Sequence, residues 1–558
     1  MVICKINTFI STIFIILIIL LINGIKSFKC IANKFTINPV ILNITHNKIK
    51  RRILGNEDEE KRNYSNIKIG LDYTQFDSKI KELDDYENIS GKIKTSINEA
   101  KEAMEKILMI EHEYINLSEV NYAESIIKRR CGIENINQTY QDFLIDNDII
   151  IFPILNKSLN EIGDDILVSG KFCLITSEYR VLGGVLNINP YITFNSSYSQ
   201  INFKYALFHE LTHILIFHPT LLNYLGMVGD TEKHKVINSE KVLKKAREHY
   251  NCEEIDGIPL EDLGGEEIAG YHWDPRYMLG DDMISINYID FVISDITLAL
   301  FEDSGFYKVN YYTGGLFKFG KNKGCRFFLD NCIFNGSVSF ENEFCTQPKE
   351  PKCTRSGTIK GRCTIYNYTN SEKIINKTYQ YFEDINVGGL ERIDFCPVPD
   401  YNEDDDVYLS QSCKYGNSNN GNDLGENFGN NSFCFISNLL NETSREKEKS
   451  EAVCYKIKCD NNSKTFIVSI GSKNINCSQS ENITVNGYKG TFFCPNYNDV
   501  CHFMNNDSLI CNEMFDCIKN EIEVDNSTYD YIINKRNDSK FLKLKFNILI
   551  IIIIRFLN

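Results

Sequence analysis

The sequence predicts an α+β protein in which a cysteine-poor part, up to about residue 320, precedes a disulfide-rich, mostly β part. The chain has 558 residues, 43% hydrophobic and 24% charged, which is typical of a globular protein with roughly three or four domains. Fifteen of its 20 cysteines lie in the last 234 residues. Strand-like runs at 148–152 and 179–182 precede a helix-like segment at 203–215, which indicates mixed secondary structure in the first part.

The charge and the cysteine content restrict the partners and the compartment. The formal net charge of −15 argues against a phosphate-backbone partner, so we expect no nucleic acid among the ligands. Twenty cysteines would be unusual in a reducing cytosol and indicate an oxidising compartment.

The N-terminus is typical of an exported protein. An apolar run from Phe9 to Ile22 follows Lys5. Its length suits the core of a signal peptide and falls short of the ~20 residues that span a bilayer. We therefore expect a signal peptide over residues 1–24, with an uncleaved signal anchor as the alternative.

Cysteine pairing sets one thiol apart from the others. Eighteen cysteines lie between Cys131 and Cys517, an even number that can pair completely, and Cys30 is left over.

The basic stretch Lys48–Arg52 is a candidate for proteolytic processing or an ordinary solvated charge run. Residues 92–113 carry apolar side chains at helical spacing and predict an amphipathic helix.

The segment FKYALFHELTHILIFHP, residues 203–219, carries the most informative motif. His209 and His213 are four residues apart, so both imidazoles project from one face of a helix and can bind one zinc ion. Glu210 lies about 100° further around the helix, where its carboxylate can take a proton from a reacting water without becoming a ligand. A chance HExxH match is expected only about 0.01 times in a chain of this composition. Two hydrogen-bonded core histidines are the alternative.

Zinc catalysis needs a third protein ligand and an open fourth position. His218 follows His213 by five residues, which on a continuous helix turns it about 140° away from the ligand face. His272, in GGEEIAGYHWDPRYMLGDDMI, is the better candidate. Met283 follows it by eleven residues, with the turn-forming residues 280–282 between them.

With these motifs, the chain resembles the leishmanolysin family of metzincin zinc metalloendopeptidases, in which a long insertion separates the second and third histidines. The resemblance implies that His272 is the third zinc ligand. It also implies that Met283 packs under the histidines as a thioether floor without binding the metal. The likeness runs from about residue 67 to 520 and includes AREHYNCEEIDGIPLEDLGGEEIAGYHWDPRYMLGDDMI, ITLALFEDSGFYKVNY, GKNKGCRFFLDNC, IDFCPVPDY, SFCF, AVCYKIKC and GTFFCPNYNDVC.

One position departs from the family pattern. The family has glycine where this chain has Ile216, and the glycine lets the helix end sharply because it accepts a positive φ. A β-branched residue is disfavoured in that conformation. Either the helix continues to His218 and Pro219, or the turn is made differently.

The resemblance implies a zinc-dependent metalloendopeptidase, with one Zn²⁺ per chain, that hydrolyses peptide bonds of extracellular proteins and has a role in cell adhesion. It implies a secreted or cell-surface location and protein or peptide substrates. The alternative is a catalytically weak surface adhesion or binding protein on the same scaffold. Glu210 favours the enzyme, because a binding module needs no general base.

Cys30, in FKCIANKF, is a candidate zymogen switch. A thiolate is a good zinc ligand and could occupy the position of the reacting water until the segment is removed. The family's pro-segment cysteine is flanked by His and Asp, where this chain has Phe28, Ala32 and Asn33. A disulfide with a partner is the alternative role for Cys30.

The C-terminal tail FLKLKFNILIIIIIRFLN has an unbroken apolar core only from Ile548 to Ile554, too short to span a bilayer. Together with the small and polar residues Asn537–Ser539, it resembles a glycolipid-anchor signal, and a plain terminal strand or amphipathic tail is the alternative.

We expect the cysteine-rich part to be a disulfide-braced C-terminal domain, and a separate module joined by a flexible linker is the alternative. The predicted organisation is a signal peptide (1–24), a pro-segment (25–66), an N-terminal catalytic subdomain (67–215), an insertion with third-ligand loop and Met-turn (216–330), a cysteine-rich C-terminal domain (331–535) and a possible anchor signal (536–558).

Overall fold

The computed structural model describes residues 39–42 and 64–522, apart from 84–85, 112–123, 135–145, 160–165, 195–196, 266–267, 287–290, 341–342, 369–376, 401–409, 417–421, 461, 502–503, 506–507 and 510–513. The predicted signal peptide, Cys30 and the predicted anchor signal lie outside the described residues. Within the described ranges, no helix combines the length and the apolar character needed to cross a membrane.

A five-stranded sheet lies at the centre of the first part of the chain, with strand order β1-β6-β7-β5-β3. β6 and β7 are antiparallel, whereas the other neighbouring pairs are parallel. β5 and β7 are apolar and buried along nearly their whole length, as strands covered on both faces require. The elements of this part are β1 (Val40–Leu42), β2 (Tyr64–Asn66), β3 (Ile69–Leu71), α1 (Thr74–Ile80), α2 (Tyr86–Ile107), β4 (Leu108–Glu111), α3 (Glu124–Cys131), β5 (Ile149–Leu155), β6 (Val168–Thr176), β7 (Val181–Ile188) and α4 (Ser197–Leu215).

The next part forms a small sheet of order β10-β9-β8 and sends one strand back to the first part. β11 pairs antiparallel with β4, which also pairs with β2, so the third sheet contains strands from both parts. The elements are α5 (Pro219–Tyr224), β8 (Val228–Asp230), β9 (Lys235–Ile237), α6 (Glu240–Tyr250), β10 (Ile258–Pro259), α7 (Pro275–Met278), α8 (Asp295–Asp303), β11 (Tyr307–Val309) and α9 (Arg326–Leu329).

The last part is mostly β. Its largest sheet has six strands in the order β23-β22-β21-β19-β26-β24 and is accompanied by smaller two- and three-stranded sheets. The elements are β12 (Ile333–Phe334), β13 (Ser337–Val338), β14 (Pro351–Cys353), β15 (Lys360–Cys363), β16 (Tyr366–Asn367), β17 (Val387–Gly388), β18 (Pro399–Asp400), β19 (Ser432–Ser437), β20 (Leu440–Asn441), β21 (Glu451–Asp460), β22 (Thr465–Ile470), β23 (Lys473–Cys477), β24 (Glu481–Ile483), β25 (Tyr488–Lys489), β26 (Phe492–Cys494), α10 (Tyr497–Val500), β27 (Met504–Asn505), β28 (Ser508–Leu509) and α11 (Met514–Lys519).

Eight disulfides join described cysteines to one another, and six of the eight lie in the last part. Cys517 is also disulfide-bonded. The mixed α and β content and the disulfide-rich C-terminal region confirm the coarse fold prediction. The pairs are Cys131–Cys173, Cys252–Cys325, Cys332–Cys396, Cys345–Cys363, Cys353–Cys434, Cys413–Cys454, Cys459–Cys501 and Cys477–Cys494.

The end of the described chain packs against the first part. The ring of Phe515, in α11, lies 5.0 Å from the ring of Tyr205 and 5.8 Å from that of Phe208, both in α4. The Lys204 ammonium lies 4.3 Å from the centre of the same phenylalanine ring. α11 also packs against α2, where Lys106 donates to the carbonyl of Lys519 at 2.9 Å.

The ends of several elements differ from the sequence-based predictions. The helix predicted over 92–113 runs from Tyr86 to Ile107, and its continuation over 108–111 was wrong. Leu108 and Ile110 are buried on one side of β4 instead, because cross-strand pairing with β2 and β11 overrides the local helical pattern. The helix predicted over 203–215 begins earlier, at Ser197.

Candidate metal centre

α4 carries the HExxH motif and approaches the central sheet very closely. A Cβ atom at Gly170, in β6, would lie 2.5 Å from the carbonyl oxygen of Glu210. A Cβ atom at Gly184, in β7, would lie 2.5 Å from Cγ2 of Ile214. The two glycines therefore allow the helix to lie against the strands at a distance that a larger residue would prevent.

α4 ends without the glycine that the family has at the position of Ile216. The helix ends at Leu215, and the backbone N–H groups of Ile216 and Phe217 both donate to the carbonyl of Thr212 at 3.0 Å. Ile216 is not among the residues with positive φ, so the turn is made without a left-handed residue. The turn brings the Phe217 carbonyl to 2.7 Å from Nδ1 of His213.

His218 lies outside the histidine cluster. It is the N-cap residue of α5, in an extended conformation, and its Nδ1 accepts a hydrogen bond from the N–H of Thr220 at 3.1 Å. Its ring contacts Phe172 and Tyr271 edge-on. Burial lowers the pKa of His218 to about 4, so it is neutral at physiological pH.

His272 is placed by backbone hydrogen bonds on both sides. Its carbonyl accepts from the N–H of Glu261 at 2.9 Å, and the N–H of the next residue, Trp273, donates to the carbonyl of Met283 at 2.9 Å. The indole N–H of Trp273 donates to Oγ1 of Thr297 at 2.8 Å. The segment is therefore held between the end of β10 and the turn that contains Met283.

The structure brings His209, His213 and His272 together. One ring nitrogen of each lies within 4.8 Å of the corresponding nitrogens of the other two, and all three side chains are buried. The Nε2 atoms of His213 and His272 are 3.3 Å apart. Among the described residues, this is the group of histidine, cysteine or acidic side chains with the geometry to hold a metal ion.

Backbone carbonyls fix the orientation of the three rings. Nδ1 lies 2.5 Å from the Asp282 carbonyl in His209, 2.7 Å from the Phe217 carbonyl in His213 and 3.4 Å from the Ile268 carbonyl in His272. A carbonyl only accepts hydrogen bonds, so each Nδ1 carries the proton and each Nε2 presents a lone pair.

The donor set fits a metal ion. Burial lowers the pKa of His209 to about 4 and lowers the pKa values of His213 and His272 well below the usual range, so all three imidazoles are neutral. Two Nε2 lone pairs 3.3 Å apart repel each other, and a cation between them would turn that repulsion into attraction. Three neutral imidazoles are a common ligand set for Zn²⁺.

Glu210 is fully buried beside the cluster, and its Oε2 accepts a hydrogen bond of 2.6 Å from the N–H of Gly170. The strand thus orients the carboxylate that the sequence predicted to act as a base.

The turn before Met283 is held by one carboxylate. Asp281 accepts from the N–H of Met283 at 2.8 Å, from the N–H of Ser294 at 3.0 Å and from Oγ1 of Thr297. Met283 is fully buried, and the preceding residue, Asp282, supplies the carbonyl that holds His209. Sequence reasoning found the turn through residues 280–282 but missed the roles of Asp281 and of the Asp282 carbonyl.

The fold and the site define an HExxH protein with a third histidine supplied from a distant loop. A family model described as Leishmanolysin matches residues 124–508, which is more than half of the chain. The chain therefore belongs to the leishmanolysin family, a family of metalloendopeptidases.

Individual relatives agree with this assignment. The chain is 27% identical to a leishmanolysin homolog of Crithidia fasciculata over 362 residues, which cover 60% of this chain and 53% of that protein. It is 26% identical to leishmanolysin of Leishmania chagasi over 358 residues (61% of this chain, 58% of that protein). It is 28% identical to a leishmanolysin-like peptidase of Drosophila melanogaster over 296 residues (47% and 43%). The chain thus spans about half the length of the curated relatives it matches.

Proposed function

We propose that this protein is a zinc-dependent endopeptidase of the metzincin type, with His209, His213 and His272 as the ligands of one Zn²⁺ and Glu210 as the general base. The observation that carries the proposal is the cluster of three buried, neutral imidazoles whose Nδ1 atoms are each held by a backbone carbonyl. Family membership supports the metalloprotease activity.

The residues of the site have separate roles in peptide hydrolysis. A bound zinc ion would polarise the peptide carbonyl and lower the pKa of the attacking water. Glu210 takes the proton from that water and passes it to the leaving amine, which is general acid–base catalysis by one carboxylate. The N–H of Gly170 holds the carboxylate in place. The Asp282 carbonyl, in the turn that Asp281 stabilises, accepts from Nδ1 of His209 and orients that ligand.

Zinc stoichiometry and casein cleavage, measured on the same preparation of purified ectodomain, test the proposal. We expect about one zinc per chain, loss of cleavage with a chelator, and recovery when zinc is returned. A preparation that holds zinc and folds but cleaves no peptide would favour the alternative of a surface binding protein.

The location and the substrates are part of the same proposal. Eight disulfides among the described residues support passage through an oxidising compartment, and hence substrates that are extracellular proteins. We also propose a role in cell adhesion, which the disulfide-braced last part could perform without the metal centre. Cells that carry a Glu210→Gln variant should then adhere as well as wild-type cells.

The proposed zymogen switch and anchor depend on segments outside the described residues. A Cys30→Ser precursor should cleave peptides before it is processed, whereas an equally latent precursor would contradict the switch. A phosphatidylinositol-specific phospholipase should release the protein from intact cells if residues 536–558 direct glycolipid attachment, and retention on the membrane would contradict it.

A further inference from the structure

An asparagine in the sequence pattern for N-glycosylation faces an exposed aromatic ring on the large C-terminal sheet. Asn482, Ile483 and Thr484 form the pattern Asn-x-Thr, and Asn482 lies in the short edge strand β24. Asn482 is directly opposite Phe493 in β26, and Ile483 is opposite Phe492. Phe492 is fully buried, so the alternation along the strands places Asn482 and Phe493 on the solvent side.

The exposed ring of Phe493 is the first of a row of apolar side chains on adjacent strands. Phe493 is 50% exposed. Ser437 in β19 pairs with Phe492, so the antiparallel register brings Ile436, which is 37% exposed, beside Phe493. Ile436 in turn pairs with Ala452 in β21. We call Phe493, Ile436 and Ala452 the outer row; it begins beside Asn482 and crosses three strands.

We infer that Asn482 carries an N-linked glycan whose first sugars cover the outer row, with the proximal N-acetylglucosamine stacked on the ring of Phe493. Directly opposed side chains in an antiparallel pair have Cβ atoms about 4.5–5.5 Å apart, which brings a sugar on Asn482 over the ring. The apolar C–H face of a pyranose is suited to an aromatic face. The inference depends on the export that is part of the proposed function and is independent of catalysis.

The position of β24 gives the glycan a second effect. β24 is the last strand of its sheet, and an exposed edge strand can pair with another chain. A bulky hydrophilic group on the edge prevents such pairing in the same way that charged residues do on other edges.

The modification requires a co-substrate of a defined class, an oligosaccharide linked to a lipid diphosphate. Nδ2 of Asn482 forms a bond to C1 of the first sugar, and the bond from C1 to the diphosphate oxygen breaks. The lipid diphosphate leaves with the bonding electron pair, and Nδ2 loses one proton to a base. The Thr484 hydroxyl is the third element of the recognition pattern.

The first experiment measures occupancy of Asn482 in full-length protein secreted from a eukaryotic host. Release of the glycan by an amidase in ¹⁸O-water converts a modified asparagine to labelled aspartate, which peptide mass spectrometry detects. We expect label at Asn482 in the wild type and in Thr484→Ser, which keeps the pattern, and none in Thr484→Ala. An unmodified Asn482 in the wild type overturns the inference.

The second experiment tests whether the sugar lies on Phe493. Hydroxyl-radical oxidation of the Phe493 ring should be at least about twofold faster in Thr484→Ala than in Thr484→Ser, because the ring is uncovered. Loss of the glycan should lower the midpoint of thermal unfolding by about 2 °C or more when Phe493 is present, and by less in a Phe493→Ser background. Equal oxidation in the two Thr484 variants, or equal shifts in both backgrounds, overturns the stacking.

Discussion

The N–H of Gly170 donates a 2.6 Å hydrogen bond to Oε2 of Glu210, and the same glycine lies against the backbone carbonyl of that glutamate. One residue of the sheet therefore sets both the distance between β6 and α4 and the direction of the carboxylate. The absence of a side chain at 170 is part of the site, because a Cβ atom there would lie 2.5 Å from the Glu210 carbonyl oxygen.

We predict that Gly170→Ala separates β6 from α4. The added methyl group would meet backbone, which cannot move aside as a side chain can, so we expect the free energy of unfolding to fall by about 1–3 kcal/mol. Peptide hydrolysis should fall further than stability accounts for, because the Glu210 carboxylate loses its orientation. Denaturant unfolding and peptide hydrolysis, measured on the same variant, test both effects.

Gly91→Ala is the matched control. Gly91 lies within α2, and a Cβ atom there would meet nothing within 4 Å. Replacing a glycine inside a helix with alanine should stabilise the protein by about 0.5–1 kcal/mol and leave hydrolysis unchanged. If Gly170→Ala is as harmless as this control, the close contact between β6 and α4 has no functional role.

We predict that Glu210→Gln retains zinc and loses cleavage. The amide keeps an oxygen that can accept from Gly170, but it cannot take a proton from water at neutral pH. Removing a general base should lower the hydrolysis rate by about 10²–10⁴-fold at unchanged zinc content. Glu240→Gln, the same change on the exposed first turn of α6, should leave the rate at the wild-type value. Loss of zinc from Glu210→Gln would mean that this carboxylate is a ligand.

We predict that Phe515 couples the end of the described chain to the metal-site helix. Phe515→Ala removes contacts with Tyr205, Phe208 and Lys204, and should lower the free energy of unfolding by about 2–3 kcal/mol. Phe334→Ala is the control, because Phe334 is 68% exposed and its loss should change stability by less than about 0.5 kcal/mol.

Limited proteolysis tests the same coupling in another way. None of the disulfides between described cysteines spans residues 326–331, so none of them would join the residues before a cut there to those after it. We expect the cut chain to stay together under non-reducing conditions. Two freely separable, folded fragments would instead support a cysteine-rich module on a flexible linker.

The sequence predicted those parts of the site that depend on local spacing. His209, Glu210 and His213 follow from one helical turn, and His218 was set aside because of its helical phase. His272 was the better candidate for the third ligand once His218 had been set aside, but its role followed from the family resemblance, because no local rule brings together residues 59 positions apart. In each case the prediction was made from the type of side chain and its position in the sequence.

The supporting groups could not be predicted, because they are backbone atoms or contacts between distant residues. The carbonyls that hold the three imidazoles leave no side-chain signal in the sequence. Gly170 is 40 residues from Glu210, and a lone glycine in a strand pattern indicates only that some close approach is possible. The turn at Ile216 depends on two backbone N–H groups that both donate to the Thr212 carbonyl. The sequence alone does not distinguish this helix ending from a helix that continues.

We predict that His272→Ala abolishes stoichiometric zinc and cleavage, whereas His218→Ala leaves both largely intact. Nε2 of His272 lies 3.3 Å from Nε2 of His213, while Nδ1 of His218 accepts from Thr220 and caps α5. Loss of a cap should cost His218→Ala about 1 kcal/mol of stability without loss of metal. Closing the long loop to His272 costs entropy only in proportion to the logarithm of its length, and the Cys252–Cys325 disulfide reduces that cost. Zinc content and peptide hydrolysis measured on both variants decide the matter: loss of metal from His218→Ala and retention by His272→Ala would exclude His272 as the third ligand.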